Sequence, residues 1–209
     1  MKISVIMASY LSIPGRQNLD QKFRRAVNSF INQTYQDKEL IIVSDGCEIT
    51  NKLFQDYYSN RDNIRLISIP KQPPYSGMMR NVAFNITNGD IICYLDADDV
   101  LGKTHLQTIA DQFDTSEYDW VYMDDYMTLD KEFKKLHIRK VYPRYGSIGT
   151  SSIAHKNPKL LKNGDKIKFN IGYGHDFLFT MTLNALGLKF KKLDKMAQYI
   201  VCHYRDYDG

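Results

Sequence analysis

The 209-residue sequence predicts an α/β protein with a central mixed, mostly parallel sheet flanked by helices. Two observations carry this. Over the first half, short apolar runs alternate with amphipathic stretches of helical spacing. One of those runs, Gly89-Asp90-Ile91-Ile92-Cys93-Tyr94-Leu95, ends abruptly in Asp96-Ala97-Asp98-Asp99. A buried strand that stops at charged residues suits an open α/β sheet, whose ligands gather at the carboxyl ends of its strands.

The elements follow in order. Lys2 to Ala8 reads as a first strand. Leu19, Phe23, Ala26, Val27, Phe30 and Ile31 recur at helical spacing, so about Gln17 to Asn32 is an amphipathic helix. Glu39 to Ser44 is a second strand, and Thr50 is placed to cap a helix through about Tyr58. Asn63 to Ile69 is a third strand, stopped by Pro70. The loop at Pro73-Pro74 leads into a helix ending near Asn88, with Gly89 as its cap, and Asp90 to Leu95 is the fourth strand. Thr104 to about Phe113 is the next helix. The second half changes style. Tyr118 to Met123, Lys135 to Tyr142 and about Ser147 to Ala154 read as β, Asp176 to Leu186 as a helix ended by Gly187, and Ala197 to His203 as a last strand. One domain over residues 1–209 is expected, with a ligand-binding front half to about residue 100 and a partner-facing back half.

Bulk properties exclude several classes. Hydrophobic content of 43% and charged content of 25% are ordinary for a globular chain. The net charge of +4 is mild and gives no ground for a nucleic-acid partner. Lysines cluster at 131–135 and 189–192; solvated faces are the plain reading, peripheral contact with a membrane surface the other. Three scattered cysteines fit neither a disulfide framework nor a zinc pattern, so reduced thiols in the cytoplasm are expected. The opening apolar run is too short for a signal peptide, and no stretch is long enough to cross a bilayer.

Asp96, Asp98 and Asp99 crowd three carboxylates into four positions. They repel one another unless a cation sits among them. Hard oxygen ligands suit Mg²⁺ or Mn²⁺, ions that commonly bridge to substrate phosphates. The cluster therefore points to a metal site holding a phosphorylated ligand.

Five ordered pieces resemble the family 2 glycosyltransferases of GT-A fold. They are Ile3 to Tyr10, then Gln33-Thr34-Tyr35 with Glu39 to Gly46, then Gly77-Met78-Met79-Arg80-Asn81, then Gly89 to Asp99, and His175-Asp176. The resemblance implies a metal-dependent, inverting transfer of sugar from a nucleotide-diphospho-sugar, UDP-linked, to a glycan or lipid-linked acceptor. It implies Asp98 as ligand of Mn²⁺ or Mg²⁺, joined by the late His203, and Asp96 near the donor ribose or the ion, with Ala97 beside it. It implies Asp45 on the base edge, Ala8, Ser9 and Tyr10 along the nucleotide, and Asp176 as the base that takes the acceptor hydroxyl's proton. Ser44 stands where the family commonly has an Asp, and His175 where it usually has Glu.

Plainer readings stand beside these. Asp45-Gly46 is also a turn dipeptide, and Asp176 also suits a helix start. Arg80 pairs either with diphosphate or with the acidic cluster. Lys71 and Arg16 are weaker phosphate candidates, and Tyr204 and Arg205 would close over the diphosphate. Ser151 and Ser152 line an acceptor pocket or form a polar turn. Asp124-Asp125 is read as a surface turn. Two other functions compete: a binding module with a decayed site, and a sugar nucleotidyltransferase. The second wants a glycine-rich basic loop after the first strand, and Leu11 to Arg16 has one Gly and one Arg.

Overall fold

The computed structural model describes residues 1–114, 117–193 and 198–202. The front half alternates as expected: β1 (Ile3–Ser9), α1 (Leu19–Ile31), β2 (Lys38–Asp45), α2 (Glu48–Tyr57), β3 (Ile64–Ile69), α3 (Gly77–Phe84) and β4 (Ile91–Tyr94). Then come β5 (Val100–Leu101), α4 (His105–Asp114), β6 (Trp120–Tyr122), β7 (Asp125–Thr128), β8 (His137–Arg139), β9 (Ile153–Lys156), α5 (His175–Ala185), β10 (Phe190–Lys192) and β11 (Tyr199–Cys202).

A seven-stranded sheet runs β10-β6-β9-β4-β1-β2-β3. β1 is parallel to β2 and β4, and β2 is parallel to β3. β9 is antiparallel to both β4 and β6. A second sheet, β5-β11-β7-β8, lies beside the end of β4 and carries the chain's last described strand. The core divides over the two faces of the large sheet. Val5, Met7, Leu40, Ile42 and Cys93 face the α1 side with Phe23, Val27 and Phe30. Ile6, Ile41, Val43, Ile92 and Tyr94 face Ala83, Phe169, Phe179 and Leu183. This period of two explains why these strands read as continuous apolar runs: both faces are covered. No helix among the described residues is long and apolar enough to cross a membrane.

Several expectations are corrected. α3 ends at Phe84, not near Asn88, so Gly89 caps nothing. A Cβ on Gly89 would lie 2.5 Å from the Ser4 nitrogen; glycine lets the start of β4 lie against β1. Thr50 sits inside α2, its hydroxyl 2.9 Å from that of Ser9. Residues 189–192 are solvated in part, with Lys189 and Phe190 exposed, but they are also structured: Phe190 to Lys192 form an edge strand, and Phe190 stacks on Trp120 at 4.6 Å. Asp124 and Asp125 are not a surface turn. Both are buried because partners are built in: Asp125 takes Arg139 Nε at 2.7 Å and the Ser152 hydroxyl at 2.9 Å, and Asp124 takes the Val141 amide at 2.8 Å and Lys192 at 2.6 Å. The last predicted strand, Ala197 to His203, is seen as Tyr199–Cys202; its two ends lie outside the described residues.

Two histidines sit in this core without charge. Burial lowers His105 to about 3 and His155 to about 4, against an ordinary 6.5. His155 Nε2 accepts from the Tyr94 hydroxyl at 2.6 Å, which fixes the neutral form. The unfolded chain binds these protons below pH 6.5 and the folded chain does not. Stability is therefore complete above that pH and falls as pH drops toward 4, by about 1.4 kcal/mol per unit for each group at most. Urea unfolding from pH 7 to 4.5 should show the loss, and His105→Phe should make it shallower. Equal slopes for the two proteins would contradict the assignment.

Candidate active site

The carboxyl ends of β1, β2 and β4 open into one cavity of about 580 Å³. Ala8, Ser9, Tyr10, Asp45, Lys71, Arg80, Asp96, Ala97, Asp98, His175 and Asp176 all line it. Of the residues singled out from the sequence, Ser151 and Ser152 are not on its wall, and His203, Tyr204 and Arg205 lie outside the described residues.

The acidic turn after β4 is held open by three neighbours. The Tyr199 hydroxyl accepts from the Asp96 amide at 3.0 Å and donates to Asp99 at 2.9 Å. The Cys202 amide donates to the other Asp99 oxygen at 2.8 Å. Arg25 donates to the Asp98 carbonyl at 2.5 Å. These bonds turn Asp99 into the protein and leave Asp96 and Asp98 facing the cavity, their side chains 42% and 36% exposed. Burial, with Asp96 and Asp98 close by, pushes the Asp99 carboxyl well above its usual range. Asp96 is raised too, first by desolvation and then by Asp98 and Asp176, while Arg80 opposes the shift.

Arg80 is the centre of the site. It is buried on α3, beneath the rings of Tyr94 and Phe169 at 5.7 and 5.4 Å. Its Nη2 donates to Asp96 at 3.0 Å. Its Nη1 lies 2.7 Å from His175 Nε2 and 3.4 Å from Asp176 Oδ1. The ion pair to the acidic cluster is present. A guanidinium only donates, so toward Arg80 His175 Nε2 is the acceptor; the same nitrogen lies 3.1 Å from Asp176 Oδ1. Burial first, and then Arg80, lower the His175 pKa against the pull of Asp176, which keeps the ring neutral. Asp176 opens α5 and also accepts from the Thr150 hydroxyl. His175 thus stands where a second acid would compete with Asp96 and Asp176 for one guanidinium.

On the far side, Asp45 is buried, taking the Gln72 amide at 2.6 Å and Lys71 Nζ at 2.5 Å. Lys71 also lies over the Tyr10 ring at 4.2 Å. Gly46 allows this: its φ is +60°, and a Cβ there would meet the Lys71 nitrogen at 2.7 Å. Ser44 turns inward to the Cys47 carbonyl at 3.1 Å and does not reach the cavity. Arg16, from the unusual loop after β1, pairs with Asp98 at 3.7 Å. Ser151 and Ser152 are buried and off the cavity wall; their neighbour Thr150 makes the contact instead. Sequence reasoning missed Thr150 and Tyr75. The first lay in a polar stretch already singled out, and the second follows the Pro73-Pro74 pair.

A model of the family described as "Glycosyl transferase family 2" matches residues 4–184. The chain belongs to this family. Its sheet is of the GT-A type. An uncharacterized glycosyltransferase of Nostoc sp. is 34% identical over 119 residues, which are 56% of this chain and 34% of that protein. The poly(ribitol-phosphate) beta-N-acetylglucosaminyltransferase TarS of Staphylococcus aureus is 27% identical over 112 residues, 53% of this chain and 18% of that protein. The aligned part is thus a minor share of each relative. In structure, TarS residues 1–349 in complex with UDP-GlcNAc superimpose with a TM-score of 0.75 at 20% identity, covering 100% of this chain and 60% of that one. A Pyrobaculum calidifontis mannosyltransferase in complex with GDP-Man and Mn²⁺ gives 0.69 at 12% identity, over 100% and 58%.

Removing Arg80 leaves Asp96 and Asp176 without their shared cation. Arg80→Met should lower unfolding free energy by about 2–3 kcal/mol, less than the roughly 3–5 kcal/mol of a fully buried pair because both acids are partly exposed. Urea denaturation measures this; an unchanged midpoint would remove Arg80 from its central place.

Proposed function

We propose that the chain moves a sugar from a nucleotide-diphospho-sugar, UDP-linked, to an acceptor hydroxyl, with inversion and with a divalent metal, in glycan or polysaccharide assembly. One observation carries this reading: Asp98 and Asp176 line the same cavity, joined through Asp96 and Arg80. Family membership and the TarS complex with UDP-GlcNAc support the donor class. A single domain over residues 1–209 is part of the proposal, with the donor on the front half and the acceptor facing the back half.

The donor's base and ribose lie along Ala8, Ser9, Tyr10 and Asp45, where Tyr10 offers a ring face and Asp45 keeps lone pairs beyond the two it has committed. The diphosphate lies toward Asp96, Ala97 and Asp98. Lys71 and Arg16 are the exposed cations within reach of that region.

The donor set suits Mn²⁺ or Mg²⁺. Asp98 and Asp96 are hard carboxylates that open to the cavity. Among the described residues no group of three His, Cys, Asp or Glu comes together to hold an ion, so His203, which lies outside them, and donor phosphate oxygens would complete the shell. Bound there, the ion would neutralise the charge left on the departing diphosphate. A nucleotide diphosphate made so good a leaving group needs no protein acid. That leaves one task, removal of the acceptor proton, and Asp176 performs it from the cavity wall. Arg80, Thr150 and neutral His175 hold Asp176 in place and do not themselves take the proton.

Asp176→Asn should lower transfer about 10²- to 10⁴-fold, the ordinary worth of a general base, while UDP binding persists. Normal transfer by this variant would remove Asp176 from the base role. A chelator should abolish donor cleavage, and Mn²⁺ or Mg²⁺ should restore it. Cleavage that proceeds undiminished in excess chelator would contradict metal dependence.

A further inference from the structure

We propose that a tyrosine cluster at the cavity mouth is a stacking platform for a saccharide, so that the acceptor hydroxyl is carried on a pyranose ring. This rests on reading the cavity as the donor site and Asp176 as the base.

Tyr75, Tyr145 and Tyr173 are 49%, 59% and 73% exposed, yet they touch one another. Ring centroids are 5.9 Å apart for Tyr75–Tyr173 and 6.1 Å for Tyr145–Tyr173, and Phe177 extends the row from Tyr145 at 6.1 Å. Three large rings gathered in the open form the kind of apolar patch that marks a binding surface. The row begins at the reaction site: Tyr75 lines the cavity, and its ring is 6.2 Å from that of His175. Tyr173 lies three residues before Asp176, in the turn that leads into α5.

The backbone is bent to make this row. Tyr75 has φ +83°, a region bulky residues seldom enter. Such a conformation survives only where its surroundings enforce it, and it gathers at functional positions. Gly174, with φ +80°, lets Tyr145 lie on the turn; a Cβ would be 2.9 Å from its ring.

The chemistry selects a sugar. A pyranose has a face of C–H bonds and a rim of hydroxyls. A phenol matches it with an apolar face and a polar tip. Among the described residues none of these three hydroxyls has a hydrogen-bond partner, so they are available to sugar hydroxyls. Among the described residues none of the three rings carries a cation stacked on it, unlike Tyr10, Tyr57 and Tyr142, so their faces are open to an uncharged ring.

Saturation-transfer NMR on the full chain tests this, with UDP, cellobiose, lactose and N,N′-diacetylchitobiose as probes and anionic phosphatidylglycerol vesicles as the rival surface. At least one disaccharide should receive magnetisation from the aromatic protons. Tyr145→Ala with Tyr173→Ala should weaken it by about tenfold or more, and Tyr173→Phe should keep it within about threefold, since the ring face remains. Disaccharides that bind nowhere, or bind the double alanine variant equally well, would overturn the platform. So would vesicle binding that the same variant abolishes. UDP in the same samples separates the readings: its failure to bind while a disaccharide contacts the rings would sink the donor site and leave the platform standing.

Discussion

One guanidinium organises the site. Arg80 is buried beneath aromatic rings, where an unpaired charge would be costly. It is tolerated because two carboxylates and an imidazole surround it. Those partners come from distant parts of the chain: Asp96 from the end of β4, His175 and Asp176 from the start of α5. The same bond set that neutralises Arg80 therefore fixes the distance across the cavity between the acidic turn after β4 and the start of α5. It also holds the ring of His175, and this gives a physical reason for an imidazole beside Asp176. A second carboxylate there would add negative charge to a site that already holds Asp96, Asp98 and Asp176.

Crowded acids are managed in three different ways within four residues. Asp96 is given Arg80, Asp98 is given exposure and the distant Arg16, and Asp99 is withdrawn into the protein. Only the middle arrangement leaves a carboxylate free to exchange partners at low cost, because an exposed ion pair is worth little. That is what a residue expected to receive a transient ion requires. The arrangement also depends on β11, whose Tyr199 and Cys202 shape the turn from the second sheet. The late strand thus acts on the site through the backbone of the acidic turn.

Much of the front half was legible because its strands are covered on both faces and its turns fall at the expected spacing. β1 to β4 and α1 follow the apolar pattern almost residue for residue. The motif pieces sort by which end of the strands they occupy. Glu39 and Gly89, at the starts of β2 and β4, are structural: Glu39 takes Ser4 at 2.5 Å, Asn88 at 2.6 Å and Arg65 at 2.9 Å. Ala8, Ser9, Tyr10, Asp45 and Asp96 to Asp98 occupy the opposite ends and meet in the cavity. What the pattern concealed were long-range partners. Asp124-Asp125 reads as a turn unless Arg139, Lys192 and Ser152 are known to converge on it. β5, β7 and β10 are two to four residues long and sit within polar sequence, so no periodicity announces them. Thr150 lies one residue from the serines that were singled out, and only the fold shows which of the three hydroxyls faces Asp176.

Arg80 couples the two sides of the cavity. A double-mutant cycle on unfolding free energy, with Arg80→Met, Asp96→Asn and the pair, measures that coupling most directly. An interaction energy of about 1–3 kcal/mol is expected, within the roughly 0.5–3 kcal/mol of contacting groups in one network. Additive effects, within about 0.5 kcal/mol of zero coupling, would contradict it.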